Sequence, residues 1–160
     1  MGNLLFSPTG RINPNEFMKG ALILILASII LSIPTALGMT GAIPAILGFV
    51  SVITIYCWIV LWIKRYHDSG KSGWMCLIPI IVYMIIVIIV IIIYAGDELG
   101  AIFAAAAESV DSTEVEAALD EKINSPIYLA IISLISLGVA FLFNKMIKQD
   151  DHENQFGLPG

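Results

Sequence analysis

Ionisable residues are almost missing from the long apolar runs of this chain. Only 13% of its 160 residues are charged, whereas 58% are hydrophobic. No Asp, Glu, Lys, Arg or His lies in the middle of any apolar run. Inside a membrane, such groups usually mark proton relays, ion pathways and coupled transport. Their scarcity therefore argues against a pump, a secondary transporter and an intramembrane protease.

Cysteine is also scarce. The chain has two, Cys57 and Cys76, and two cysteines do not make a disulfide framework. We interpret both as small apolar side chains. An internal repeat of the kind that builds many transporters is not visible in the sequence either.

The chain contains four long apolar runs, and the mean hydropathy of the whole chain is +0.91. Runs of about 20 apolar residues cross a hydrocarbon core of roughly 30 Å. Because the backbone must satisfy its own hydrogen bonds inside lipid, these runs should be helices. The sequence therefore predicts an all-α fold, a polytopic transmembrane helical bundle that forms a single membrane domain over residues 1–160. The four predicted spans lie at about 18–38, 42–63, 75–95 and 127–147.

The basic residues are distributed unevenly around these spans. Of the eight lysines and arginines, only Lys122 lies on one side of the predicted membrane, and the other seven lie on the opposite side. The positive-inside rule therefore places both termini and the central loop in the cytoplasm. The segments predicted on the cytoplasmic side are the tail 1–17, which is either cytoplasmic or interfacial, the loop 64–74 and the tail 148–160. The seven basic residues assigned to that side are Arg11, Lys19, Lys64, Arg65, Lys71, Lys145 and Lys148.

The loop 96–126 carries eight acidic residues and should face the outside. Within it, Asp111-x-x-Glu114 fits a helix capping box, which predicts a helix near 113–123. We interpret its acidic face as a solvated surface rather than a binding site.

The pair His67-Asp68 in the central loop suggests a metal site or a hydrolase. A metal site normally needs three or four ligands. The other histidine, His152, lies in the carboxyl-terminal tail, and nothing in the spacing brings it to the pair. We therefore predict no catalytic centre, no metal and no cofactor. An enzyme that acts on lipid, with a metal at His67, Asp68 and His152, remains the third alternative.

Basic residues at the edge of a membrane also suggest lipid recognition. Lys64, Arg65 and Lys71 lie just before the third span, where helix amides and positive charge favour a lipid phosphate. The expected partners are the lipid bilayer and either an anionic lipid or another membrane protein. No feature indicates nucleic acid.

Three short motifs resemble those of the DUF805 family of bacterial inner-membrane proteins. They are Gly-Arg-Ile-Asn-x-x-Glu-Phe at 10–17, Lys-Arg-x-His-Asp-x-Gly-x-Ser-Gly-Trp at 64–74 and Asn-x-Phe-Gly at 154–157. The chain departs from the family pattern at Pro14, where a basic residue is favoured, and at Met18, where tryptophan is favoured. The resemblance implies a multi-pass protein of the bacterial inner (cytoplasmic) membrane. It implies no biochemical activity.

The predicted topology places all three motifs on the cytoplasmic side, so we predict a polar cap there. Arg11, Arg65 and Asp68 would form its charge-paired centre, with His67 and Asn154 as hydrogen-bond partners. Lys71 completes the set of candidate residues, whose role is either structural or ligand-binding. The predicted function is a non-catalytic binding or accessory protein that recognises a lipid headgroup or a partner protein.

The rival prediction is a small transporter or channel. It requires a continuous polar path through the bundle, because an ion or a polar solute cannot cross dry hydrocarbon. The hydroxyls that would have to face one another belong to Ser28, Ser32, Ser51, Thr54, Ser133 and Ser136.

Overall fold

A computed structural model describes residues 2–39 and 41–159. This part of the chain is mainly helical and contains no β-strand. Four of its helices are long and apolar enough to cross a membrane. The all-α, four-span prediction is therefore confirmed. The helices are α1 (Gly2–Leu5), α2 (Pro14–Ala36), α3 (Ala42–Asp68), α4 (Leu77–Glu108), α5 (Thr113–Ile123) and α6 (Pro126–Met146), with a 3₁₀ turn (Gly73–Cys76) before α4.

Local capping explains where α2 and α6 begin. The side chain of Asn13 accepts the backbone N–H of Glu16 at 2.9 Å, and Pro14 is the first helical residue. At α6, Ser125 accepts the N–H of Tyr128 at 3.3 Å, again with a proline in the first turn. Both arrangements satisfy an amide that the helix itself leaves free. As a result, α2 begins four residues before the predicted start of the first span.

Helix α3 also extends beyond its predicted span, so residues 64–68 are helical rather than part of a loop. The helix stops where Gly70 takes a positive φ of 70°. The N–H of Gly70 then bonds to the carbonyl of His67, and that of Lys71 to the carbonyl of Tyr66. This is a Schellman motif, which glycine favours because it lacks a Cβ. The charges at 64–65 therefore mark a change of environment and not the end of the helix.

Helix α4 continues past residue 95, where the third span was predicted to end. Ala95 has non-helical φ and ψ of −135° and 28°, so the helix is kinked there. The part after the kink packs against α5, where Lys122 Nζ donates to Glu98 Oε1 at 2.7 Å. The loop predicted at 96–126 is thus largely helical.

The helix expected near 113–123 is confirmed as α5, but its predicted capping box is wrong. Ser112 occupies the N-cap position, and no side-chain cap bond forms. Asp111 instead accepts the N–H of Thr113, two residues on, at 3.0 Å. An aspartate side chain that bonds locally in this way forms an Asx turn and leads into the helix.

Helix α2 packs against both α3 and α6, and α6 in turn packs against α4. Close packing of α2 and α3 depends on Gly20, because a Cβ there would lie 2.6 Å from Leu61 Cδ1. Small residues permit such an approach between membrane helices. The buried core is concentrated near the start of α2 and the ends of α3 and α6, with Phe17, Ala21, Leu24, Cys57, Leu61, Trp62, Tyr66, Ala140 and Ile147 among its members.

The serines of the predicted polar path are bonded within their own helices. The hydroxyls of Ser28, Ser51 and Ser133 each donate to the carbonyl four residues earlier. The hydroxyl of Ser32 donates to the carbonyl three residues earlier. The Ser136 hydroxyl donates to the Ile132 carbonyl of its own helix at 2.8 Å, and its oxygen also lies 3.2 Å from the Tyr83 hydroxyl. Such local bonds allow a hydroxyl to sit in an apolar helix without lining a water-filled path.

The first residues of the chain fold back along α3. Lys64 Nζ donates to the Asn3 carbonyl at 2.5 Å, and the Tyr56 hydroxyl donates to the Phe6 carbonyl at 3.0 Å. Eight helical residues separate Tyr56 from Lys64, or about 12 Å along the axis. Residues 3–6 therefore run from the end of α3 towards its middle, and we expect them to lie within the lipid leaflet.

A spin label at Phe6, which is exposed on this segment, should test its depth. We expect a nitroxide on Phe6→Cys to collide more often with oxygen, which dissolves in lipid, than with an aqueous nickel chelate. The native cysteines are buried, so the new thiol is the reactive one. The same label on Glu153→Cys, at an exposed tail position, provides the aqueous control. Equal nickel accessibility at both positions would refute the placement.

A buried ionic cap as the candidate functional site

The centre of the site is Asp68, the last residue of α3. Its Oδ1 accepts Arg11 Nε at 3.2 Å, and its Oδ2 accepts Arg65 Nη1 at 3.0 Å. The carboxylate is 0% exposed and each arginine side chain 1% exposed. Arg65 reaches Asp68 because the two are three residues apart on one helix. Arg11 arrives from the amino-terminal tail, so the structure joins the three residues that the sequence placed at the centre of the cap.

Arg65 also ties α3 to the end of α6. Its Nε donates to Asn144 Oδ1 at 2.6 Å, and its Nη2 donates to the backbone carbonyls of Asn144, at 3.1 Å, and Ile147. The last carbonyls of a helix have no partner within it and carry partial negative charge. Arg65 therefore serves as a cationic cap for α6.

Asn144 extends the same connection to α2. Its Nδ2 donates to the backbone carbonyl of Pro14 at 3.0 Å, so one buried carboxamide joins the start of α2 to the end of α6. Asn144 was not among the predicted site residues. The signal that would have found it is a lone carboxamide at the cytoplasmic edge of an apolar run, where an amide needs a partner once buried.

Arg11 fixes the carboxyl-terminal tail. Its Nη1 donates to the carbonyls of His152 at 2.7 Å and Gly157 at 3.1 Å. Its Nη2 donates to the carbonyl of Asp68 at 3.2 Å and to that of Asp150. The amide of Asp150 completes the connection by donating to the Asp68 carbonyl at 2.8 Å. One guanidinium thus holds the tail against the end of α3.

His67 and Asn154 join the same assembly. His67 Nδ1 lies 3.2 Å from the Gly10 carbonyl, and since a carbonyl can only accept, this nitrogen carries the proton. The ring of Phe156 stacks on the imidazole with centroids 3.7 Å apart and planes within 6°. Asn154 Nδ2 donates to the His67 carbonyl at 3.1 Å. Phe156 belongs to the motif at 154–157, but it was not among the predicted site residues, because its stacking on His67 depends on where the tail turns.

Asp150 is the carboxylate at the edge of this assembly. The backbone N–H of His152 donates to its Oδ1 at 3.2 Å, and Asn154 Nδ2 donates to its Oδ2 at 3.3 Å. These bonds, with the positive charge of Arg11 nearby, hold the pKa of Asp150 below its usual value. Hydrogen bonds to the ionised form have this effect because they stabilise it over the neutral acid.

Two side chains considered in the sequence analysis lie outside the ionic centre. The side chain of Lys71 is exposed and takes no part in it. His152 has its side chain 93% exposed, with Nδ1 3.9 Å from Asp150 Oδ1. The structure therefore does not bring His152 to His67 and Asp68. Among residues 2–39 and 41–159, no three His, Cys, Asp or Glu side chains are grouped as metal ligands.

The cap contains more buried positive than negative charge, since one carboxylate serves two guanidiniums. The excess is stabilised by backbone carbonyl oxygens, which accept from most of the other N–H groups of the two arginines. These belong to Asp68, Asn144, Ile147, Asp150, His152 and Gly157. A buried charge is tolerated when it is paired and fully hydrogen-bonded. We call Arg11, Arg65 and Asp68, together with the carbonyl groups that they contact, the clasp, because they join two helix ends and both tails.

The fold and this clasp together define a class of protein. It is a multi-pass helical membrane protein whose terminal segments are joined by a buried ionic cluster at one end of the bundle. Residues 5–158 match the model of the family described as Protein of unknown function (DUF805), so the chain belongs to the DUF805 family. Comparisons with curated proteins and with solved structures found no match.

Proposed function

We propose that this chain is a non-catalytic accessory protein of a bacterial inner membrane that binds anionic phospholipid around its cytoplasmic cap. The observation that carries the proposal is a set of exposed lysines at the cap end, outside the buried clasp. We call Lys19, Lys71, Lys145 and Lys148 the rim lysines. Basic side chains at the cytoplasmic surface attract anionic headgroups by about 1 kcal/mol each.

The two ends of the molecule support this orientation by their charges. The cap end carries seven basic and five acidic residues, a net charge of +2, and the opposite end one basic and eight acidic residues, a net charge of −7. Together they account for the −5 of the whole chain. An anionic membrane surface is therefore attracted to the cap end and repelled by the other.

The clasp supports a non-catalytic role. Arg65 and Asp68 are engaged with each other and with the protein's own backbone, and His67 donates to Gly10 and stacks on Phe156. A catalytic acid, base or nucleophile must be within reach of a substrate. The charged side chains of the clasp, Arg11, Arg65 and Asp68, instead hold the polypeptide together, so attraction of anionic headgroups is left to the rim lysines.

The proposal predicts selective retention of phosphatidylglycerol over phosphatidylethanolamine by the purified protein. We expect Lys71→Gln to weaken retention of phosphatidylglycerol about fivefold, since one basic contact is worth about 1 kcal/mol. The measurement is native mass spectrometry of the full chain in detergent with each lipid added. Lys122→Gln, at the opposite end, is the matched control and should retain the lipid like the wild type. Equal loss in both variants, or no preference between the lipids, would disprove the proposal.

A further inference from the structure

A groove opens beside the cap, between α3 and the beginning of α4. These two helices follow one another in the chain, but the 3₁₀ turn packs on α3, whereas α4 packs against α6. Close contact at Gly73 forms the back of the groove, since a Cβ there would lie 2.9 Å from Ile63 Cγ2 and 3.1 Å from His67 Nε2. The lining includes Ile59, Ile63, His67, Trp74, Leu77 and Phe156.

The groove changes from apolar to polar along its length. Ile59, Ile63 and His67 are four residues apart and share one face of α3. They span about 12 Å along the helix, with the isoleucines deeper and the imidazole at the cap. Ser72 and Gln155 add polar side chains at the cap end. A phospholipid has the same gradient, from acyl chain to glycerol and phosphate.

The side chains at the mouth indicate which molecule fits. Trp74 is 79% exposed at one lip, and tryptophan prefers the level of the lipid headgroups. None of the described lining residues is acidic, and the exposed Lys71 precedes Ser72 in the chain. The charge at this end of the groove is therefore complementary to a phosphate.

We propose that this groove is the binding site of a single phospholipid. One acyl chain lies along Ile59, Ile63 and Leu77, and the phosphate lies at the cap end near Lys71. The inference rests on the proposed function and gives it a location. The remaining rim lysines then attract the general lipid surface, whereas the groove holds one molecule for longer.

Leu77→Trp tests the site by filling it. We expect this variant to retain phosphatidylglycerol about tenfold less in native mass spectrometry, because it removes space for about two methylene groups. The matched control is Ile81→Trp, which places the same ring one turn further along α4, at another exposed position outside the groove. Equal retention by Leu77→Trp and the wild type would overturn the groove, while the Lys71→Gln result still decides the proposed function separately.

Photocrosslinking of the wild-type chain tests the site without any substitution, so misfolding of a variant cannot affect the result. The probe is phosphatidylglycerol with a diazirine in one acyl chain. We expect labelled peptides to contain Ile59, Ile63 or Leu77. Labelling spread evenly over the exposed isoleucines of α4 would overturn the proposal. So would a chain-to-chain dimer in native mass spectra that excludes the lipid, since the groove would then hold a second copy.

Discussion

Replacing Asp68 by asparagine is expected to lower the free energy of unfolding by about 3–5 kcal/mol, the usual cost of removing one partner from a buried ion pair. The substitution keeps the shape of the side chain but removes the carboxylate that both Arg11 and Arg65 contact. Two buried guanidiniums then lose the carboxylate with which both are paired. The measurement is unfolding of the full chain in mixed micelles by added sodium dodecyl sulfate, followed by circular dichroism.

The control for this variant is Asp151→Asn, which makes the same chemical change at an exposed tail position. Exposed substitutions of this kind usually change stability by less than about 0.5 kcal/mol. If Asp68→Asn unfolded at the same detergent fraction as Asp151→Asn, the ionic pairs would contribute nothing to the fold.

A double variant separates the ion pair from the rest of the clasp. Removing Arg65 together with Asp68, as Arg65→Leu with Asp68→Asn, leaves one fewer unpaired charge. We therefore expect the double variant to cost less than the sum of the two single variants. The remaining cost has two parts. One is the loss of the hydrogen bonds that Arg65 donates to the carbonyls of Asn144 and Ile147, and the other is the loss of the Asp68 carboxylate as the partner of Arg11.

The centre of the cap was predictable because charge is expensive near a membrane. Arg11, Arg65 and Asp68 lie next to long apolar runs, and the bias of basic residues brought their segments to one side. Opposite charges that share a poorly solvated region are expected to pair. The topology, together with the three motifs that resemble those of the DUF805 family, therefore suggested the grouping.

The rest of the cap depends on backbone positions that carry no sequence signal. Most donors of Arg11 end on carbonyls of the tail, and every residue has a carbonyl, so His152 and Gly157 were not distinguishable as acceptors. The ends of α3 and α4 were misplaced for a related reason. A helix keeps its own hydrogen bonds on leaving the lipid, so the membrane boundary predicts neither the continuation to Asp68 nor the kink at Ala95.

Arg11→Ala is expected to release the carboxyl-terminal tail while the helices stay assembled. The substitution removes the charged donor shared by the carbonyls of Asp150, His152 and Gly157. A hydrogen bond to a charged group is worth about 1.5–3 kcal/mol. Amide hydrogen exchange over residues 150–157 should therefore accelerate between about tenfold and a hundredfold, because local opening sets the exchange rate.

The helices should remain in place because Asp68 keeps Arg65 as its partner. Exchange within α2 and α6 is therefore expected to match the wild type, in contrast to Asp68→Asn, where the whole bundle is weakened. Lys148→Ala is the control, since that lysine is the first residue of the tail and its side chain is exposed. Unchanged exchange at 150–157 in Arg11→Ala would show that the tail docks through its other contacts, such as the stacking of Phe156 on His67. A selective rise there would show instead that one arginine couples the two tails, so that displacing either tail weakens the attachment of the other.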